Sequence, residues 1–436
     1  LGLFLYIYYM SIEDLYNLYA NSSGVVTDSR KTSNNCMFFS LKGVNFNGNE
    51  FAKSAIENGA LCAIVDEKKY FQNNKNYIYV EDCLDTLQKL ANFHRKKLKT
   101  KIIGITGSNG KTTSKELINS VLKTHFKTYC TKGNLNNHIG VPLSLLEISN
   151  EIEFAIIEMG ANHIGEIKLL SNIAEPDYGY ITNFGKAHLE GFGSEEGVIK
   201  GKSELYDYLI SNSGFIFYNS DDEKQKIILS EYINKYGFSQ KKSDLSYKVI
   251  SENPSIILST KNMTFESTLF GSYNIQNIIS AVSIGSYFGI SIEKIKKGVS
   301  NYIPSNNRSQ IVKKNSNKIV LDAYNANPTS MTLAIKSFDK SDLKNKILIL
   351  GDMFELGKEE NKFHQEIVDY CETLVINKVF LIGEIFSKTI FTEKFISCKN
   401  YKELLHNNDF SNIINSNILI KGSRGMQLEK IVDYIS

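Results

Sequence analysis

The chain has 436 residues, 42% hydrophobic and 22% charged, which suits two or three folded domains and excludes a long disordered chain. Fifty Lys and Arg stand against 47 Asp and Glu, so the +3 net charge offers no basic surface and no nucleic-acid partner is expected. The six cysteines, at 36, 62, 83, 130, 371 and 398, lack the close pairs of a zinc site or redox motif, and reduced thiols in a cytoplasmic protein are expected.

The opening "LGLFLYIYYM" is apolar, but it has no basic leading region or small-residue cleavage site, and ten residues cannot span a bilayer. It reads as an upstream extension or short strand before a working start at Met10, and no stable membrane association is expected. From about Ile12 to Lys97, apolar runs such as "CAIV" alternate with helix-like stretches such as "EFAKSAIENGA", a small α/β block. The basic "HRKKLKTK" reads as a linker near Lys97. The second block carries buried-strand candidates that end in suggestive residues: "IIGIT", "FAIIE" ending at Glu158, and "YGYIT" running to Asn183. The third begins near "NYIPSNNRSQ" and repeats the pattern with "KIVLD", "KILILGD", "VFLIGE" and "NILIKGS". Each run stops in a small or polar residue, and ligands of open α/β sheets bind beyond the carboxyl ends of strands.

One loop carries chemistry on its own. In "TGSNGKTTS", Gly107 and Gly110 let the backbone approach an anion, and a strand-to-helix turn presents N–H groups to a phosphate. Lys111 adds a charge, and Thr112 offers a hydroxyl to Mg2+. The strict phosphate-loop pattern wants glycine six residues before the lysine, where this chain has Ile105, and a helix-capping turn is the alternative. Glu158 stands where such enzymes hold magnesium, or else is a strand-end carboxylate in solvent. "NFGKAHLEGFGSEEGVIKGKSEL" brings His188 and Lys202 into one region; the plain readings are a satisfied polar group and a solvated helix lysine. "GKS" at 201–203 is no second phosphate loop, because no glycine-rich strand-to-helix turn precedes it.

"TGSNGKTT", "GNLNNHIGVPLSLL", "EMGANHIGEI", "ITNFGKAHLEGFGS", "GSYNIQNIISA", "LDAYNANPTSM", "LGDMFELG" and "KGSRGM" together resemble the Mur ligase family, from "TDSRK" at 27–31 almost to the end. Within it they most resemble the members that add D-alanyl-D-alanine to UDP-N-acetylmuramoyl-tripeptide, and the "DNPR" run of the ligase that adds diaminopimelate is absent. The resemblance implies a three-domain α/β fold with a central P-loop ATPase-like parallel sheet and a Rossmann-like C-terminal domain. The expected divisions are 1–97 for the UDP substrate, 98–304 for ATP, and 305–436 closing on ATP and receiving the dipeptide. It implies a monomeric amide ligase using ATP and two Mg2+ ions through an acyl phosphate. The rival expectations are an amide ligase with another acceptor, such as one adding glutamate to folate, and a non-catalytic nucleotide-binding module.

Residue by residue, the resemblance gives Gly107, Ser108, Asn109, Gly110, Lys111, Thr112 and Thr113 to the phosphates of ATP. Thr112, Glu158, His188 and Lys202 go to metal, Lys202 after carbamylation by CO2, which would turn a cation into an anionic ligand. Asn274 and Asn277 take the adenine side, with a polar helix surface as the alternative, while Arg308 and Asp322 reach ATP from the third domain, Asp322 towards the ribose. Ser29, Arg30 and Gly43 take the uridine diphosphate portion. Asn47 and Asn49 stand where relatives often carry Asp and His. Asn136, Asn137 and His138 contact the muramoyl or diphosphate portion. Tyr324, Asn325 and Asn327 face the reacting groups, and Ser423 and Arg424 receive the dipeptide. For "YNANP" an Asn/Pro turn is the alternative, and for "KGSRG" a helix N-terminus.

Overall fold

A computed structural model describes residues 10–72, 74–253, 255–261, 263–408 and 410–435. The apolar run at 1–9, read above as an extension or short strand, lies outside the described residues. Contacts divide the chain into two units: one takes in the described residues up to Gly104 with Lys127–Gly160 and Glu166–Asp177, the other Ile105–Phe126, Ala161–Gly165 and Tyr178 onward. Among the described residues no helix is long and apolar enough to cross a membrane.

In the first unit, the strands Val25–Val26, Met37–Phe39, Cys62–Val65 and Tyr77–Tyr79 form a four-stranded sheet, parallel throughout. Cys62–Val65 is buried at every residue, the signature of a strand covered on both faces. Helix Cys83–Lys97 starts at an Asp82 cap whose carboxylate accepts the Asp85 N–H, and its last turn holds His94, Arg95, Lys96 and Lys97, where cations complement the helix dipole. His94–Lys97, the first half of the expected linker, is therefore helix. Arg95 is buried and donates to the carbonyls of Ala174 (2.9 Å) and Glu175 (2.8 Å) and to Asp177 (2.9 Å), and only Leu98, Lys99 and Thr100 separate the helix from strand Lys101–Thr106. Carbonyls at the end of helix Glu166–Ala174 supply the acceptors that let Arg95 be buried. Thr128–Cys130 pairs in parallel with Phe154–Glu158.

In the second unit, Tyr178–Ile181, Phe215–Asn219, Lys235–Ser239 and Leu245–Ser251 pair in parallel succession, and the antiparallel Ile256–Thr260 and Thr264–Ser267 follow. Helix Lys111–Leu122 packs on helices Ile275–Tyr287 and Ile292–Ser300. The carboxyl-terminal sheet runs Gln310–Lys314, Asn317–Asp322, Asn417–Lys421, Lys346–Gly351, Lys378–Ile382, Phe395–Cys398, parallel except for its first strand. Alternate residues of these strands enter two apolar layers: Val320, Leu348, Leu350 and Leu419 on one face, Ile319, Ile347, Ile349 and Ile418 on the other. That doubly covered sheet is the expected Rossmann-like arrangement. Of twelve described non-glycine residues with positive φ, six are Asn (35, 306, 307, 315, 345 and 415), so many tight corners are made by the residue type that best tolerates the left-handed region after glycine.

Candidate active site

The phosphate loop lies in the second unit. Gly107 has φ +137° and Gly110 φ +79°; a Cβ on Gly107 would fall 2.0 Å from Thr182 Oγ1, and one on Gly110 2.4 Å from Asn277 Oδ1. Both glycines are thus required by conformation and by space. Helix Lys111–Leu122 starts at Gly110 without a side-chain cap, which keeps its first turn suited to an anion. The Asn109 side-chain Nδ2 is buried and has no hydrogen-bond partner. Lys111 curls its ammonium onto the carbonyls of Gly107 (2.7 Å) and Ser108 (3.3 Å), and Ser108, Thr112 and Thr113 are buried beside it.

The next strand end braces the loop. The Thr182 hydroxyl donates to Asn109 O (2.6 Å), the Ser108 N–H to Asn183 O (3.0 Å), and the Asn109 N–H to Asn183 Oδ1 (3.1 Å). Sequence reading gave Thr182 and Asn183 no role; their only signal was an apolar strand ending in polar residues.

Asn274 and Asn277 are buried, which removes the polar-surface alternative. Ser114 Oγ donates to Asn277 Oδ1 (3.0 Å), Asn277 Nδ2 to Asn274 Oδ1 (2.8 Å), and Asn274 Nδ2 to Phe270 O (2.7 Å). The pair therefore ties helix Lys111–Leu122 to the following helices. Ser309, left-handed at φ +48°, continues the chain of bonds: its hydroxyl meets Tyr273 Oη (2.8 Å), and its N–H donates to Asp322 Oδ1 (3.1 Å).

Asp322 ends strand Asn317–Asp322 opposite Lys421, which donates to Asp322 Oδ2 (2.6 Å) and to Asn325 O (3.2 Å). Lys421 was quoted within "KGSRGM" but given no role; only the parallel register brings it to Asp322. Arg308 lays its guanidinium 3.7 Å over the Tyr324 ring, and Arg424 stands 5.8 Å from the same ring, so two arginines share one aromatic. Asn325 is exposed. Asn327 caps helix Pro328–Asp339 in a capping box with Ser330, and its amide donates to Asn109 Oδ1 (2.7 Å). The Asn/Pro turn of "YNANP" is present, and it carries Asn327 to the phosphate loop. Ser423 is buried, accepts the Phe354 N–H (3.0 Å), and precedes the turn Arg424–Met426.

His188 begins the short helix Leu189–Phe192 with φ +53°, and its Nδ1 is hydrogen-bonded to Glu355, itself at φ +61°. That bond holds the Glu355 carboxyl below its usual range. Lys202 is fully buried, not the solvated lysine of the plain reading; its Nζ donates to Ala161 O (2.9 Å) and lies 4.9 Å over the Phe192 ring.

The remaining candidates belong to the first unit. Glu158 ends its strand 1% exposed, so it is no solvent carboxylate; Asn136 Nδ2 donates to its Oε1 (2.8 Å), and Thr131 Oγ1 accepts its N–H (3.0 Å). Asn137 Oδ1 accepts from the N–H groups of Ile139 (3.1 Å) and Gly140 (2.8 Å) at the start of helix Gly140–Leu146, and His138 is exposed. Ser29 and Arg30 form the turn Ser29–Lys31, where the exposed Arg30 grips Asp28 through two bonds and pulls its carboxyl down to about 2. Gly43 is exposed on the hairpin Lys42–Gly43 with Phe46–Asn47. Asn49, in place of the family's expected histidine, is buried and exchanges two bonds with Asp66 (2.8 and 3.0 Å), while Asn47 Oδ1 accepts the Asn49 N–H (3.0 Å). The two departures are fixed parts of the hairpin base.

The chain matches the family descriptions "Mur ligase family, catalytic domain" at 21–95, "Mur ligase middle domain" at 105–285 and "Mur ligase, glutamate ligase domain" at 307–416. It is 36% identical over 429 residues to the UDP-N-acetylmuramoyl-tripeptide–D-alanyl-D-alanine ligase of Bacillus subtilis, covering 94% of this chain and 92% of the relative. Among solved structures it resembles MurF ligase from Thermotoga maritima in complex with ADP (TM-score 0.85, 26% identity, 96% and 97% covered) and MurF from Acinetobacter baumannii (TM-score 0.83, 29% identity, 94% and 92% covered). The chain belongs to the Mur ligase family and has its three-domain α/β fold, with a parallel-dominated central sheet.

Proposed function

We propose that the protein is an ATP-dependent ligase that joins D-alanyl-D-alanine to UDP-N-acetylmuramoyl-tripeptide. The observation that carries this reading is likeness over nearly the whole chain to ligases of that name, together with an intact phosphate loop. The domains take the boundaries 1–97, 98–304 and 305–436, binding the UDP portion, ATP and the incoming dipeptide. ATP and a UDP-linked substrate place the work in the cytoplasm.

The uncapped helix start, the two glycines and Lys111 cradle the β- and γ-phosphates. The tripeptide carboxylate attacks the γ-phosphorus, giving an acyl phosphate and ADP; the dipeptide amine then attacks the acyl carbon, and phosphate leaves. Thr112, Glu158, His188 and a carbamylated Lys202, the residues that the family resemblance assigns to metal, would supply oxygen and nitrogen donors for two Mg2+ ions, which would offset charge between triphosphate and carboxylate. A carbamate on Lys202 keeps one N–H, enough to maintain the bond to Ala161 O. Arg308 and Asp322 approach ATP from the third domain, and Asn327 closes on the phosphate loop through Asn109. Ser29, Arg30, Asn137 and His138 take the nucleotide-sugar side, and Tyr324, Ser423 and Arg424 the dipeptide side.

The test is phosphate release with ATP and Mg2+, adding the tripeptide substrate and D-alanyl-D-alanine singly and together, with mass spectrometry of the product. Turnover requiring both, and a product heavier by one dipeptide less water, is expected. Turnover with glutamate in place of the dipeptide would overturn the assignment.

A further inference from the structure

His188 lies in the central part of the chain, yet its ring is held from the carboxyl-terminal part. Its Nδ1 bonds to Glu355 of "LGDMFELG", and the contact is broader than one bond. The Glu190 N–H donates to Glu355 O (3.4 Å), Leu189 packs against the carboxyl-terminal apolar layer, the Lys186 N–H donates to Thr329 Oγ1 (3.2 Å), and the Lys186 ammonium stands 5.5 Å over Phe363. Both His188 and Glu355 hold left-handed backbone, a conformation non-glycine residues keep only where surroundings over-determine it.

We propose that Glu355 is a positioning residue: by accepting the Nδ1–H of His188 it fixes the imidazole tautomer and leaves Nε2 as the metal-facing nitrogen. Carboxylates in this place orient histidine ligands and raise their basicity. Because Glu355 belongs to the carboxyl-terminal part, the histidine is fully prepared only when that part is docked, so assembly of the second metal position and docking become one event. The pair contributes little to stability, since the Glu355 side chain is 52% exposed. The inference rests on the reading of His188 as a metal-binding residue proposed above.

The experiment titrates Mn2+ into full-length protein saturated with a non-hydrolysable ATP analogue and counts bound ions from the resonance signal of free Mn2+. Two ions on the unmutated protein are expected, with Glu355→Ala weakening one of them about tenfold to a hundredfold. Glu355→Gln, which keeps an acceptor oxygen, is expected to recover most of that loss, and both variants should melt near the parent temperature. Equal affinity in Glu355→Ala and the parent overturns the inference while leaving the ligase reading intact. A single ion on the parent protein overturns the two-metal reading and this inference with it. Nitrogen chemical shifts of His188 in the unmutated protein give an independent check: a proton on Nδ1 supports the arrangement, and one on Nε2 refutes it.

Discussion

Lys421→Met is expected to destabilise the protein by about 3 kcal/mol. Lys421 and Asp322 are 2% and 14% exposed and 2.6 Å apart, and Met keeps the unbranched stem of the lysine while deleting its ammonium group. Removing one partner of a buried ion pair costs about 3–5 kcal/mol, because the survivor is left charged and poorly solvated. Asp322 keeps the Ser309 N–H at 3.1 Å and its side chain is partly exposed, which places the cost at the low end of that range. For a cooperative unit of about 150–250 residues, each kcal/mol moves the melting temperature by about 2–4 °C, so a drop of about 6–12 °C is expected. Calorimetry on Lys421→Met, Asp322→Asn and the double variant supplies the test. The double variant should cost less than the sum of the singles by at least about 1 kcal/mol, as directly bonded residues do. A fall under about 2 °C for Lys421→Met, or strict additivity, would show that the pair does not hold the strand ends together.

Gly110→Ala puts a methyl 2.4 Å from Asn277 Oδ1 at φ +79°, and ADP affinity measured by calorimetry should fall at least about tenfold, a cost of about 1.4 kcal/mol; unchanged affinity would remove the steric argument. Asn136→Ala strips a donor from the buried Glu158 carboxylate and should cost about 1.5–3 kcal/mol in urea unfolding, while a cost near zero would mean the bond is not sustained in solution. His94 is buried with its Nε2 on Ile148 O (2.8 Å), and burial lowers its pKa below the ordinary 6.5. A base lowered in the folded state contributes full stability above 6.5 and loses it as pH falls from 6.5 towards the folded value. Melting temperature should therefore decline more steeply below pH 6.5 in the parent than in His94→Gln, and parallel curves would sink the assignment.

Sequence made several strands legible because they are short apolar runs closed by a polar residue; "FAIIE" and "CAIV" match Phe154–Glu158 and Cys62–Val65 residue for residue. The strands from Leu245 to Ser267 are harder to read: Leu245–Ser251 alternates buried and exposed positions, and its antiparallel partner Ile256–Thr260 and then Thr264–Ser267 lie at the margin of the sheet. Glycines and a lysine announce a phosphate loop because their chemistry is local. Lys421, Glu355 and Thr182 act on residues 99, 167 and 73 positions away, so their partners could not be read from local sequence. Arg95 shows the same limit from the other side, since a cation in a basic run is buried once distant carbonyls converge on it.

The asparagine corners bear on the unfolded chain as well as the folded one. Glycine at 35, 306, 307, 315, 345 and 415 would relieve the left-handed backbone, yet it would also give the denatured ensemble more conformations to lose. That second effect is worth about 0.4–1 kcal/mol per site, similar to the strain relieved, so each exchange should come out near neutral at room temperature. The entropic part grows with heating while the strain does not. Asparagine corners therefore favour retention of the fold most strongly as the melting point is approached.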